Sequence, residues 1–192
     1  LGMADPTIET PIADVSHIRR KWLDLPYAGT SPAQKLDIYL PDEGDDPFPV
    51  ILYIHGGGFA YEDKRRIHLL PFLQGIQRGY AVVGVDYRLS GEALFPAGIQ
   101  DVKAAIRWLR ANSAQYHLDG HRIAACGGSS GGNYAAMICL TGSVAELEDL
   151  SLGNPGYPCN VQAAVDWYGP TDFLKMDAQL DENGYGPGTH GA

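Results

Sequence analysis

The stretch "CGGSSGGNY", residues 126–134, carries two adjacent serines, and each completes a G-x-S-x-G pattern. Gly127 to Gly131 centre the pattern on Ser129, and Gly128 to Gly132 centre it on Ser130. A serine in this pattern performs acyl transfer when it stands on a sharp strand-to-helix turn. The residues two before and two after it must be small, because the chain nearly touches itself there. The helix that follows contributes free N–H groups and a partial positive charge, which favour a developing oxyanion. A second stretch, "HGGGFA" at 55–60, offers the complementary chemistry. Attack on a carbonyl places negative charge on oxygen, and glycines let backbone N–H groups approach it closely. The N–H of the residue after the nucleophile completes such an oxyanion hole.

Both stretches need strand ends to hold them. "VILYIH" (50–55), "YAVVGVDY" (80–87) and "QAAVDWYG" (162–169) are short apolar runs rich in β-formers, which predicts buried strands. "KLDIYL" (35–40) alternates as a half-buried strand does, and "RIAACGG" (122–128) is a weaker strand signal because alanine is a poor strand former. Between them, Ile99, Val102, Ile106 and Leu109 give one apolar helical stripe, with Lys103, Arg107 and Arg110 lying away from it. Helices are also predicted over 64–77, interrupted at Pro71, and over 131–141. Alternating strands and helices imply βαβ units: an α/β fold with a mainly parallel sheet and helices on both faces. Both chemical stretches then fall at carboxyl ends of strands, where open α/β sheets place their ligands.

The chain has 192 residues, which fits one domain, residues 1–192. Its formal charge of −9 repels polyanions, so nucleic acid is not an expected partner. No apolar run approaches a bilayer span and no signal peptide is visible, so neither membrane nor export is expected, and the predicted location is cytoplasmic. Cys126, Cys139 and Cys159 are sparse and odd in number, which argues against a disulfide framework and for a reducing compartment. Cys126 and Cys139 lie among apolar residues and are expected to be buried thiols. No metal-ligand spacing appears. "GGSSGG" also lacks the Lys-Ser/Thr of a phosphate-binding loop and the glycine spacing of a dinucleotide site.

"YIHGGGFAYEDKR", "VVGVDYRLSGEALFPAGIQDVKAAIRWLRANS", "RIAACGGSSGGNYAA" and "VDWYGPTDF" occur in the order and spacing seen in α/β-hydrolase esterases. Over residues 35–180 the sequence resembles hormone-sensitive-lipase-like esterases and bacterial feruloyl- and acetyl-esterase-like (BD-FAE-like) proteins. The resemblance implies an α/β-hydrolase fold and a carboxylic ester hydrolase working through an acyl-serine, without metal or organic cofactor. The implied substrate is a small-molecule ester, small or sugar-linked. Family members carry a second glycine three residues after the nucleophile, often followed by His or Asn. Gly131, Gly132 and Asn133 stand in those places relative to Ser129. The resemblance thus makes Ser129 the nucleophile, and Gly57, Gly58 and Ser130 the oxyanion donors. It gives His55 a loop-shaping role and makes Asp86-Tyr87-Arg88 a structural segment. Lys64, Arg65 and Arg66 are expected to form a solvated helix face.

A serine triad also needs a histidine base and an acid, in the chain order Ser, acid, His for this fold. After Ser129 the sequence holds one histidine, His190, and Asp172 is among the available acids. Asp172 is expected to cap a helix with Thr171. His190 lies in "DENGYGPGTHGA", which reads as a mobile loop. The expectation is therefore that the fold continues past Ala192 and that the acid and base lie there, with Asp172 and His190 as the alternative pair. Two other readings stay open: a serine peptidase of the prolyl-oligopeptidase type, and a non-catalytic binding protein that keeps the fold.

Overall fold

The computed structural model describes residues 10–44 and 46–185. At its centre is a six-stranded sheet. The strands are β1 (Lys21–Pro26), β2 (Lys35–Tyr39), β3 (Phe48–Ile54), β4 (Ala81–Val85), β5 (Leu118–Gly128) and β6 (Ala163–Trp167). Their order across the sheet is β1-β2-β4-β3-β5-β6. β4, β3, β5 and β6 are mutually parallel, and β1–β2 and β2–β4 are antiparallel pairs. β1 was not expected from the sequence. None of its residues is fully buried, and a bulge between Trp22 and Leu25, with Asp24 at φ 56°, breaks the alternation that would signal it.

The helices are α1 (Leu70–Leu73), α2 (Ala97–Ala111), α3 (Ser130–Leu140) and α4 (Met176–Glu182). Strand side chains alternate between two cores, as the two-residue period requires. Val50, Leu52, Ile54, Val83 and Val85 face the α2 stripe of Ile99, Val102, Ile106 and Leu109, with Ala135 and Ile138 of α3. Tyr53, Val82 and Cys126 point to the other face and meet Leu69, Phe72 and Leu73. That second layer is thin. The helix expected over 64–77 is only the four-residue α1 between two 3₁₀ turns, because Pro71 permits a helix start and Gly75 and Gly79 break its continuation.

Charged side chains of α2 that lie away from its apolar stripe still enter the interior. Lys103 and Arg107 are fully buried. They extend from α2 to hold the connection between α3 and β6: Lys103 Nζ donates to Thr141 O (2.6 Å), and Arg107 donates to Asp149 O (2.6 Å), Gly153 O (3.0 Å) and Glu148 Oε1 (2.8 Å). Long stems cover apolar surface while the charged heads satisfy carbonyls that irregular backbone leaves free. Arg107→Met should therefore lower unfolding stability by about 3 kcal/mol, measured by urea denaturation, since three acceptors each lose an N–H donor of the same guanidinium.

Contrary to expectation, Lys64 and Arg65 are not a solvated helix face. Lys64 is 4% exposed, with Nζ 2.6 Å from Asp86 and 3.0 Å from Asp24. Arg65 grips the buried Asp37 through Nε (2.6 Å) and Nη2 (2.9 Å). Burial alone would lower the Lys64 pKa, but the Asp86, Asp37 and Asp24 carboxylates outweigh it and hold the ammonium charged. Cys126 is buried as expected, and burial pushes its thiol up to about 11. Cys139 is exposed, because it sits on the outer side of the last turn of α3 beside Leu140. Among the described residues no helix is long and apolar enough to cross a membrane, and no group of three or more His, Cys, Asp or Glu could hold a metal ion.

Candidate active site

β5 ends at Gly128 and α3 begins at Ser130, so one residue, Ser129, turns the chain. Its backbone is forced to φ 54°, ψ −127°, a region that side chains rarely occupy. The turn is held by backbone bonds on both sides: Ser129 N–H donates to Trp167 O at the end of β6 (2.9 Å), and Asn133 N–H donates to Ser129 O (3.1 Å). Asn133 Nδ2 reaches Pro170 O (2.8 Å), tying α3 to the segment after β6. Close approach explains the flanking glycines. A Cβ on Gly131 would run into the Ile54 carbonyl at the end of β3, and one on Gly127 would run into Gly131 itself.

The glycine loop after β3 lies against this turn. A Cβ built on Gly56 would stand 3.0 Å from Gly128 O and 3.5 Å from Ser129 Cβ. Gly57, Gly58 and Phe59 have φ of 99°, 59° and 63°, three successive residues in left-handed backbone. The loop curls on itself, with Ala60 and Tyr61 N–H groups donating to Gly57 O (3.0 and 3.1 Å). Among the described residues the N–H groups of Gly57 and Gly58 have no backbone acceptor. Ser130 is the first residue of α3, where an N–H has no intrahelical partner. Among the described residues its Oγ is buried without a hydrogen-bond partner, as the neighbouring Tyr87 hydroxyl donates to His55 O instead (3.0 Å).

Gly56, Gly57, Gly58 and Ser129 line one cavity of about 330 Å³, walled by Tyr53, Phe72, Trp167 and Tyr168. Phe72 joins Tyr53 (ring centroids 4.7 Å apart) to Trp167 (5.0 Å) in a continuous aromatic surface. Glu62 and His68 also line it, with His68 Nδ1 3.8 Å from Glu62 Oε2. None of these wall residues was singled out from the sequence. Trp167 and Tyr168 could have been, since they follow directly on a strand's carboxyl end.

His55 is 2% exposed and stacks on Tyr87 (centroids 4.4 Å apart, planes 8° apart). Burial lowers its pKa, so the ring is neutral. Its Nδ1 lies 2.8 Å from Gly56 O, which can only accept, so Nδ1 carries the hydrogen. The ring thus shapes the start of the loop. Asp172 does not cap a helix: α4 starts later, at Met176, and the Asp172 carboxylate pairs with Lys175 Nζ (3.2 Å). Asp172 is not in the lining of the Ser129 cavity. His190 lies outside the described residues.

The BD-FAE family model matches residues 36–188. Carboxylesterase NlhH of Mycobacterium tuberculosis is 40% identical over 101 residues, 53% of this chain and 32% of its own length. A bifunctional GH43-CE protein of Bacteroides eggerthii has a TM-score of 0.75 at 36% identity, over 83% of this chain and 24% of that one. A truncated carbohydrate esterase from gut microbiota has a TM-score of 0.76 at 34% identity, over 93% and 64%. The chain spans about a third of the length of the curated relatives it matches. The parallel sheet, the strand-end turn at Ser129 and a family match over most of the sequence agree: the chain belongs to the BD-FAE family and has the α/β-hydrolase fold.

Proposed function

We propose that the protein is a serine carboxylic ester hydrolase with Ser129 as nucleophile. The observation that carries this is the strained Ser129 turn sharing a cavity with Gly57 and Gly58, whose N–H groups have no backbone acceptor among the described residues. Ser129 Oγ attacks the ester carbonyl carbon, and its proton passes to a base. The tetrahedral oxyanion is held by the N–H groups of Gly57, Gly58 and Ser130. The C–O bond to the alcohol then breaks, the alcohol takes the proton, and water hydrolyses the acyl-serine. This reading leaves the role of base to a histidine outside the described residues, because a base must stand within hydrogen-bond reach of Oγ.

The relatives are carboxylesterases and a carbohydrate esterase, which supports small or sugar-linked acyl esters as substrates. A cavity of about 330 Å³ suits a compact acyl or alcohol group. Three free thiols support a reducing, cytoplasmic setting. The test is covalent: a fluorophosphonate should label the protein, and the modified peptide should contain Ser129. Hydrolysis of p-nitrophenyl acetate and sugar acetates, with anilide and peptide analogues left intact, would separate the esterase from a peptidase. No labelling and no turnover would make it a binding protein.

A further inference from the structure

We propose that residues 86–90, directly after β4, are a positioning clamp that fixes the oxyanion loop 55–64 from behind; the proposal rests on the esterase reading of that loop. The clamp touches the loop at its start, middle and end. At the start, Tyr87 OH donates to His55 O (3.0 Å) while its ring stacks on the His55 ring. In the middle, Ser90 N–H donates to Phe59 O (2.8 Å), next to the two glycines. At the end, the Asp86 carboxylate takes both polar groups of one residue, Lys64 N–H on Oδ1 (2.7 Å) and Lys64 Nζ on Oδ2 (2.6 Å).

The loop needs this support. Its own bonds are the two backbone turn bonds onto Gly57 O and the His55 Nδ1 bond to Gly56 O, and its glycine backbone has the greatest freedom of any residue. Its packing against the core comes from the Phe59 ring, which meets Tyr134 (centroids 5.0 Å apart), and from the His55 ring on Tyr87. A cavity of about 410 Å³ lies between loop and clamp, lined by His55, Ala60, Glu62, Asp63, Asp86 and Tyr87. Where close packing is absent, discrete hydrogen bonds must set the position, and oxyanion donors act only when held within a fraction of an ångström.

The clamp itself is anchored to the sheet and to α2. Asp86 N–H donates to Lys35 O (2.9 Å), and Tyr27 OH donates to Asp86 O (2.7 Å). Arg88 donates to Asp101 of α2 from its backbone N–H (2.9 Å), Nε (2.8 Å) and Nη2 (2.7 Å). Asp101 is fully buried and also takes Gln34 Nε2 (2.8 Å). Burial raises the Tyr87 pKa far above its ordinary value, so the hydroxyl keeps its proton and remains a donor. The loop thus inherits its position from β4, buried along its whole length, and from the largely buried α2.

Tyr87→Phe keeps the stacked ring and removes one donor, and Asp86→Asn keeps the volume and removes the charge. Each should lower kcat on p-nitrophenyl acetate by about tenfold, counted per fluorophosphonate-titrated site, with KM within about twofold. Affinity for a trifluoromethyl ketone, which forms a tetrahedral adduct at the serine, should fall by the same factor as kcat. A merely structural role would lower the titrated fraction and the melting temperature instead. Amide hydrogen exchange gives a readout that needs no turnover: Ala60 and Tyr61 should exchange faster in both variants, with Ile106 in α2 unchanged. Unchanged exchange at Ala60 and Tyr61 in Tyr87→Phe overturns the clamp, whether or not Asp86→Asn folds. A wild-type protein that neither labels nor hydrolyses esters overturns the esterase reading instead.

Discussion

Ser129→Ala is expected to abolish ester hydrolysis and fluorophosphonate labelling, a loss on the order of 10⁶-fold in turnover if the serine acts as a triad nucleophile. The neighbouring Ser130→Ala should keep activity within about threefold, because its backbone N–H survives and its hydroxyl has no partner to lose among the described residues. The two substitutions differ by one position, so they separate a strained nucleophile from a serine-rich loop. Stability sharpens the contrast. Holding a side chain at φ 54°, ψ −127° costs on the order of 1–3 kcal/mol. Glycine adopts that conformation without the steric penalty, though it loses about 0.5–1 kcal/mol more chain entropy on folding. Ser129→Gly should therefore be inactive yet more stable by about 1 kcal/mol in urea denaturation. An active Ser129→Ala, or a dead Ser130→Ala with normal stability, would move the nucleophile to Ser130.

The parts of this site that were legible in the sequence are those with a fixed spacing. Gly127, Ser129 and Gly131 sit where a strand ends and a helix begins, and the structure has that junction with Ser129 as its single turning residue. The parallel strands β3, β4 and β6 announced themselves as apolar runs, β5 as a weaker alanine-rich signal over 122–128, and α2 as a stripe. Legibility failed where a residue's environment is made by distant chain. Lys64 and Arg65 are charged, so local pattern assigns them to solvent. Only the fold brings Asp24, Asp37 and Asp86 from three other strand segments around them. The burial of Lys103 and Arg107 was illegible for the same reason, as their partners lie in the irregular stretch before β6. The Tyr53 and Phe72 side of the aromatic wall was invisible because each looks like an ordinary core residue, whereas Trp167 stands at the end of β6. The pair Asp172 and His190 was proposed by chain order alone, and order carries no distance. Asp172 forms an exposed ion pair with Lys175, and His190 lies outside the described residues.

Gly57→Ala should lower turnover by about 10²–10³-fold, the typical effect of losing one oxyanion donor, while the protein still folds. The reason is steric and local. Gly57 stands at φ 99°, outside the left-handed well that other residues tolerate, and a Cβ there would run into the carbonyl of Tyr61. That carbonyl belongs to the loop's own turn, so the loop must open to admit the methyl group, and the Gly57 and Gly58 N–H groups move with it. Gly58 provides the control. Its φ of 59° lies inside the left-handed well, and the nearest atom to a Cβ there is Tyr61 Cε1 at 3.9 Å. Gly58→Ala therefore meets a strain of roughly 1 kcal/mol and no collision, and should retain most activity. Turnover per titrated site on p-nitrophenyl acetate, set beside melting temperature, orders the two. Equal losses in both variants would mean that strain rather than the clash at Tyr61 governs the loop. Unchanged turnover in Gly57→Ala would remove the glycine loop from the mechanism.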